Sequence, residues 1–125
     1  MKKILVVEDN ENNLYLITFI LEKKGYKVIA ARTGEDGIEM ALKDRPDLIL
    51  MDIQLPGIDG LETTRRIRAS KTGNDVPIIA LTSYALVGDR EQVMNAGCTG
   101  YIEKPINPET IMGEIDKIWQ EKQDR

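Results

Sequence analysis

The sequence predicts an α/β domain with a five-stranded parallel sheet and helices on both faces. Short apolar runs alternate five times with amphipathic stretches, which is the pattern of parallel strands joined by crossover helices. The first run, residues 4–7, shows no polar alternation, as expected of a strand buried on both faces. The length of 125 residues corresponds to a single domain, which we expect to occupy residues 1–125.

The first two strand–helix units have recognisable starts and ends. The first strand is predicted at residues 4–7, and Asn10 is a favoured cap for the helix that Gly25 ends. The second strand, at residues 28–30, is followed by a helix over residues 33–43. This second helix is delimited by its cap Thr33, by Asp36 three positions later, and by Pro46 beyond its end.

The third unit is a strand followed by a turn and a helix. The apolar run at residues 48–51 predicts a strand that ends at Asp52. Pro56 and Gly57 then mark a loop before the helix begins. The inward repeat of this helix is predicted to consist of Leu61, Thr64, Ile67 and Arg68.

The last two units complete the sheet. A strand is predicted at residues 78–81, and the helix after it, over residues 85–95, has a weak pattern because Gly88 lies inside it. A short fifth strand at residues 101–102 ends near Lys104. The last helix is predicted from its cap Asn107, Pro108 at its first position, and the apolar residues Ile111, Ile115, Ile118 and Trp119.

The composition excludes several classes of function. The net charge is −4 and no basic patch stands out, which argues against a nucleic-acid or membrane-surface partner. The chain has no histidine, so Ser-His-Asp and Cys-His catalysis, His-ligated zinc and a phosphohistidine on this chain are excluded. Cys98 is the single cysteine and suits a reducing compartment. No run is long enough for a signal peptide or a membrane span, so we expect a cytoplasmic protein.

Polar side chains follow the predicted strands at their carboxyl ends. They are Glu8 and Asp9 after the first strand, Asp52 after the third, Thr82 after the fourth and Lys104 after the fifth. In parallel sheets these ends meet at one edge, where ligands bind. Carboxylates gathered there repel one another unless a cation lies among them. Oxygen ligands without competing Cys or His favour Mg²⁺.

A simpler explanation is that acidic residues end strands because strands end at solvent. That explanation suffices for Glu8 or Asp9 taken alone. It does not account for charged or hydroxyl groups at the ends of four strands in one chain. We therefore interpret the whole set as a functional site.

Four stretches of the sequence resemble the receiver domain of two-component response regulators. They are VVEDN at residues 6–10, DLILMDIQLPG at 47–57, ALTS at 80–83 and YIEKP at 101–105. The resemblance runs from the first strand to the last helix, and it implies a flavodoxin-like strand order of 2-1-3-4-5. The run through Asp52 is more similar to single-domain regulators of phosphorelay and cell-cycle systems than to the chemotaxis type.

The resemblance implies a chemical role for each residue of the set. Asp52 would accept a phosphoryl group from a phosphohistidine on a sensor histidine kinase or a histidine phosphotransfer protein. Lys104 would pair with one phosphoryl oxygen and Thr82 would donate a hydrogen bond to another. The ligands of Mg²⁺ would be Asp9 directly, Glu8 largely through water, Asp52, and the backbone carbonyl of Gln54.

The resemblance also implies how the signal leaves the site. Tyr101 would act as a switch aromatic coupled to Thr82, although a half-buried strand tyrosine is an equally good explanation of its position. Gln54 and Tyr84 would control the lifetime of the phosphorylated form, unless Tyr84 points away and packs on the fourth helix. A downstream protein partner would bind roughly residues 85–119, from Ala85 to Trp119. The Lys104–Pro105 bond would be cis.

Three other functions were compatible with the fold class and are less well supported. A phosphatase with an aspartyl-phosphate intermediate needs a second Asp two residues after the nucleophile, and Gln54 is there instead. A nucleotide-binding protein needs a Gly-rich phosphate loop after the first strand, which is absent. A scaffold that is never phosphorylated would not need five competent site residues. We therefore expect a switch and not an enzyme, with at most slow self-phosphorylation and autodephosphorylation. We expect the protein to be a monomer, or to form a dimer when it is phosphorylated.

Overall fold

The structure, a computed structural model, describes residues 2–71, 73–83 and 87–123, with the backbone alone for residues 87–89 and 123. The predicted lifetime residue Tyr84 and the predicted start of the fourth helix at Ala85 lie outside the described residues. The strands are β1 (Lys3–Val7), β2 (Lys27–Ala31), β3 (Leu48–Asp52), β4 (Ile78–Thr82) and β5 (Gly100–Glu103). The helices are α1 (Glu11–Lys23), α2 (Gly34–Asp44), α3 (Gly60–Arg68), α4 (Val87–Asn95) and α5 (Ile111–Gln123).

The five strands form one parallel sheet in the order β2-β1-β3-β4-β5. This confirms the predicted fold class and strand order. Every residue of the central strands β3 and β4 is buried, as their unbroken apolar runs predicted. Strand order reverses between β1 and β3, and parallel sheets bind ligands outside such a reversal.

The predicted helix caps Asn10, Thr33 and Asn107 are confirmed, although the last helix becomes regular later than predicted. The Asn10 side chain accepts a hydrogen bond from the Asn13 amide at 2.9 Å, and Thr33 accepts one from Asp36 at 3.1 Å. The last helix was predicted to begin at Pro108, but the regular α5 begins at Ile111. Asn107 nevertheless caps this end as predicted, because its side chain accepts from the amide of Glu109 at 2.9 Å and its carbonyl accepts from that of Ile111 at 3.0 Å. Residues 108–110 form a turn between the cap and the regular helix.

Alternating residues of the sheet pack into two apolar layers. One layer lies against α1 and α5 and includes Ile4, Val6, Leu48, Leu50, Ile79, Leu81, Ile102 and Trp119. The other includes Leu5, Val7, Ile49, Met51, Ile78, Ala80, Ile67 from α3, and Val93 from α4. A side chain at a strand end therefore belongs to one face or the other according to its place in the two-residue repeat.

The described part of the chain contains no helix that is both long and apolar enough to span a bilayer. The longest helices, α1 and α5, have 13 residues each, whereas about 20 apolar residues are needed to cross the hydrocarbon core.

Candidate functional site

Three strands deliver charged side chains to one face of the sheet edge. Asp52 ends β3 two residues after Leu50, and Lys104 follows β5 two residues after Ile102. Glu8 follows β1 two residues after Val6. The two-residue repeat places all three on the side of α1 and α5. This convergence was predicted from the strand ends, although the shared face was not.

Asp52 is held by a cation and an amide inside the protein. Asp52 is buried, with 2% of the surface of the residue exposed. The Lys104 Nζ lies 3.0 Å from Asp52 Oδ1 and 3.3 Å from Glu8 Oε1. The Gln54 amide donates a hydrogen bond to Asp52 Oδ1 at 3.1 Å. One lysine therefore bridges two buried carboxylates that come from separate strands.

Glu8 has an unusually high affinity for a proton. Burial, a hydrogen bond to Asp52 and the charge of Asp52 raise its pKa from 4.5 to about 7, against the opposing effects of Lys104 and Asn13. Its Oε2 atom is buried and has no hydrogen-bond partner among the described residues. A buried carboxylate oxygen without a donor is costly, so Glu8 favours either a proton or a cation at this position.

Lys104 keeps its charge despite being largely buried. Burial alone would lower the pKa of Lys104, but hydrogen bonds and charges from Asp52 and Glu8 outweigh that effect and raise it. The ammonium therefore remains available as a fixed positive charge beside Asp52 throughout the physiological pH range.

The acidic cluster has the geometry and chemistry of a divalent cation site. One carboxylate oxygen each from Glu8, Asp9 and Asp52 lies within 4.8 Å of the others. Asp9 is exposed while Glu8 and Asp52 are buried, so an ion would be reached from solvent past Asp9. Oxygen donors with room for water suit Mg²⁺, and the unpartnered Glu8 Oε2 is an atom that a cation and its waters would satisfy. The residues present therefore fit the predicted magnesium ion.

Thr82 and Tyr101 lie on the opposite face of the sheet. Thr82 ends β4 two residues after Ala80 and is buried, and its carbonyl accepts a hydrogen bond from the Lys104 amide at 2.7 Å. Tyr101 pairs with Ala80 across β4 and β5 and packs against the second apolar layer. Tyr101 therefore lies opposite the small Ala80, which precedes Thr82 by two residues on β4.

Two residues near the site were not identified from the sequence. Asn13, in the first turn of α1, helps to hold the pKa of Glu8 down through a hydrogen bond. Arg90, in α4, places its guanidinium carbon 5.3 Å from the centre of the Tyr101 ring. Asn13 lies one helical turn from the acidic pair and a search of that turn would have found it. Arg90 gave no such signal, because α4 has a weak apolar repeat. The Lys104–Pro105 bond is cis, as the resemblance implied.

Comparisons of the sequence and of the fold with known proteins both identify receiver domains as similar to this chain. Residues 4–116 match the family described as the response regulator receiver domain. The polar-differentiation response regulator DivK of Brucella anthropi is 43% identical over 106 residues, which cover 85% of this chain and 86% of that protein.

Solved structures extend this similarity to nearly the whole chain. The receiver domain of the sensor histidine kinase PA1611 of Pseudomonas aeruginosa, crystallised with a magnesium ion coordinated in its active site cleft, is 41% identical with a TM-score of 0.85. That comparison covers 99% of this chain and 98% of the other. The chemotaxis protein CheY4 of Vibrio cholerae is 29% identical with a TM-score of 0.90, covering 94% of this chain and 98% of that one.

Proposed function

The chain belongs to the response regulator receiver domains, the phospho-accepting signalling switches of two-component systems, and we propose that Asp52 is its phosphoryl acceptor. The observation that supports this assignment is the position of Asp52 at the switch point of the sheet, with Lys104 Nζ 3.0 Å away and Glu8 and Asp9 beside it. A buried carboxylate with a fixed cation and further anionic ligands is suited to phosphoryl transfer.

In the proposed reaction, a carboxylate oxygen of Asp52 attacks the phosphorus of a phosphohistidine on the donor protein. The new oxygen–phosphorus bond forms as the phosphorus–nitrogen bond breaks, and the imidazole keeps the electron pair of that bond and takes up a proton. Lys104 neutralises one phosphoryl oxygen, and the Thr82 hydroxyl donates a hydrogen bond to another. The donor is a sensor histidine kinase or a histidine phosphotransfer protein.

The cofactor that we propose is Mg²⁺. Asp9 and Asp52 would hold it directly, Glu8 largely through water, and the backbone carbonyl of Gln54 would complete the protein ligands. When bound, the ion would supply a second positive charge to neutralise the phosphoryl oxygens. The three clustered carboxylates support this set.

The family consists of signalling switches that are generally not enzymes. Within that class, we propose slow self-catalysed phosphorylation from small donors such as acetyl phosphate, and slow autodephosphorylation. Hydrolysis needs water in line with the bond from Asp52 to phosphorus. Gln54 and Tyr84, two positions beyond Asp52 and Thr82, would control that access, with Tyr84 obstructing the water more than Gln54 orients it.

The signal would pass from the site through Thr82 to Tyr101. When the Thr82 hydroxyl moves toward the phosphoryl group, the ring of Tyr101 turns into the space that it leaves. The register of the strands supports this coupling, because Tyr101 pairs with the small Ala80, two residues before Thr82 on β4. A larger residue there would block the ring.

A downstream protein would read this change on the surface of residues 85–119. A groove of about 730 Å³ lies along β5 and α5, and Tyr101 is part of its wall together with Met94, Glu103, Glu114, Lys117 and Ile118. We propose that the protein acts in the cytoplasm as a monomer, with dimer formation on phosphorylation as the alternative to be tested by size-exclusion chromatography.

The experiment that tests the assignment is phosphorylation from a small donor. The protein is incubated with Mg²⁺ and acetyl phosphate, and its intact mass is measured. We expect the addition of one phosphoryl group to the wild type and to Asp36→Asn, a control at an exposed helix position, and none to Asp52→Asn. Phosphorylation of Asp52→Asn to the level of the wild type would refute the assignment.

A further inference from the structure

We propose that Arg90 is a positioning residue that holds Tyr101 in its resting place and thereby sets how readily the switch turns. The inference rests on the proposed coupling of Thr82 to Tyr101. It adds to that pair a third residue, Arg90 of α4, which the proposed coupling does not include. It concerns the balance between the two ring positions, not phosphoryl transfer itself.

The guanidinium of Arg90 contacts the ring and its neighbour at once. Its central carbon lies 5.3 Å from the centre of the Tyr101 ring, within the distance at which a cation is attracted to an aromatic face. Its Nη2 atom lies 3.9 Å from Glu103 Oε1. Tyr101 and Glu103 are two residues apart on β5 and therefore share a face. One planar group from α4 thus covers both side chains.

The two contacts have different roles. The side chains of Arg90 and Glu103 are 47% and 59% exposed, so their ion pair is screened by water and adds little by itself. It does orient the guanidinium over the ring, because the carboxylate attracts one end of the planar group. The contact between cation and ring is then the one that favours the resting position of Tyr101.

This contact exists in only one of the two ring positions. Tyr101 is half-buried on the edge strand β5, where Arg90 of α4 lies over its ring. A ring that turns inward toward Thr82 leaves the space beneath Arg90. Any interaction made in one state and not in the other shifts the equilibrium by its full value. Removal of the Arg90 guanidinium should therefore increase the fraction of molecules with the Tyr101 ring turned inward, even without phosphorylation.

The expected size of the effect suits a reversible switch. An exposed cation–π contact corresponds to a change of about two- to five-fold in the ratio of inward to outward ring. A change of this size favours the outward ring in the unphosphorylated protein, and phosphorylation can still move the ring inward. Lysine in place of Arg90 keeps the charge but loses the planar group that contacts ring and carboxylate together, so it should restore only part of the bias.

The test follows the ring of Tyr101 directly. The full chain is labelled with 3-fluorotyrosine, and the Tyr101 signal is assigned by its loss in Tyr101→Phe. Its ¹⁹F chemical shift is measured with Mg²⁺ alone and after phosphorylation by acetyl phosphate, with intact mass confirming the modification. We expect the resting signal of Arg90→Gln to move toward the phosphorylated position by a two- to five-fold change in population ratio, and that of Arg90→Lys to move less. Arg66→Gln, which removes an exposed arginine that binds Glu62 on α3, should leave it unchanged.

The outcomes separate this inference from the proposed function. A wild-type signal that responds to phosphorylation, together with an unchanged resting signal in Arg90→Gln, would overturn the role of Arg90 alone. A wild-type Tyr101 signal that does not respond although Asp52 is phosphorylated would overturn the switch role of Tyr101, and that of Arg90 with it. Equal shifts in Arg90→Gln and Arg66→Gln would show a general effect of charge and would also overturn the inference.

Discussion

Replacing Glu8 with glutamine should stabilise the protein at pH 8 in the absence of magnesium, and should do so much less at pH 5. Glu8 is buried beside Asp52, and one of its oxygens has no hydrogen-bond partner among the described residues. At pH 8 the folded protein must ionise this group at a cost. Glutamine carries no charge and retains an oxygen that can accept from Lys104, so it avoids that cost.

The magnitude follows from the pKa of Glu8, which burial, the hydrogen bond to Asp52 and the charge of Asp52 raise from 4.5 to about 7. The folded state therefore binds this proton more tightly than the unfolded chain, and stability falls as the pH rises from 4.5 to about 7. The full loss is about 3 kcal/mol, since one pKa unit corresponds to about 1.4 kcal/mol. Lys104 does not oppose this trend, because its raised pKa contributes stability that is lost only in strongly alkaline solution.

The assay is urea unfolding in EDTA, followed by far-ultraviolet circular dichroism. The free energy of unfolding of Glu8→Gln should exceed that of the wild type by about 1 kcal/mol at pH 5 and by about 3 kcal/mol at pH 8. Glu39→Gln removes an exposed charge from α2 and should show no such dependence. Equal stabilities of Glu8→Gln and wild type at pH 8, or parallel pH profiles, would refute the reasoning about the buried carboxylate.

Three further predictions concern the ion, the switch and the lifetime. Mg²⁺ should raise the melting temperature of the wild type, because it relieves repulsion in the acidic cluster and binds the folded state alone. Thermal unfolding of Asp9→Ala should show little change in melting temperature on addition of Mg²⁺, and a rise as large as that of the wild type would argue against this site. Thr82→Ala should accept a phosphoryl group, measured by intact mass, but its amide exchange over residues 87–104 should not change on phosphorylation. A change as large as that of the wild type would refute the proposed coupling. Tyr84→Ala should lose its phosphate faster than the wild type after the donor is removed, because in the proposed role the ring would exclude water from the phosphorus. Equal or slower loss would show that Tyr84 does not shield the phosphorus.

The sequence predicts the sheet and the acidic site well, for a physical reason. Buried parallel strands need unbroken apolar runs, and the first polar residue after each run is necessarily at the ligand-binding edge. Glu8 and Asp52 could therefore be placed together although 44 positions separate them in the chain. The same reasoning located Thr82, whereas Lys104 is the second polar residue after the fifth strand and was placed there because that strand was predicted to end near it.

What the sequence did not predict depends on contacts between elements that pack side by side. The position of Arg90 over Tyr101 is set by how α4 lies on β5, and the repeat of α4 does not specify that. Arg68 was expected in the inward repeat of α3. Its guanidinium donates to the carbonyls of Gly97, at 2.8 Å, and Val76. Arg68 thereby connects the loops that precede β4 and β5, at the amino ends of these strands. The local sequence pattern of α3 does not specify hydrogen-bond partners in other loops.

The division of the sheet into two faces restricts how this domain can change in length. The acceptor Asp52 and the cation Lys104 lie on one face, whereas Thr82 and Tyr101 lie on the other, and this separation depends on a two-residue repeat in β3, β4 and β5. A single inserted or deleted residue within β4 would exchange the faces of all residues beyond it. Thr82 would then lie on the side of α1 and α5, away from Tyr101. We therefore expect insertions among related receiver domains to occur in the loops, and the strands that join acceptor to output to keep a constant number of residues.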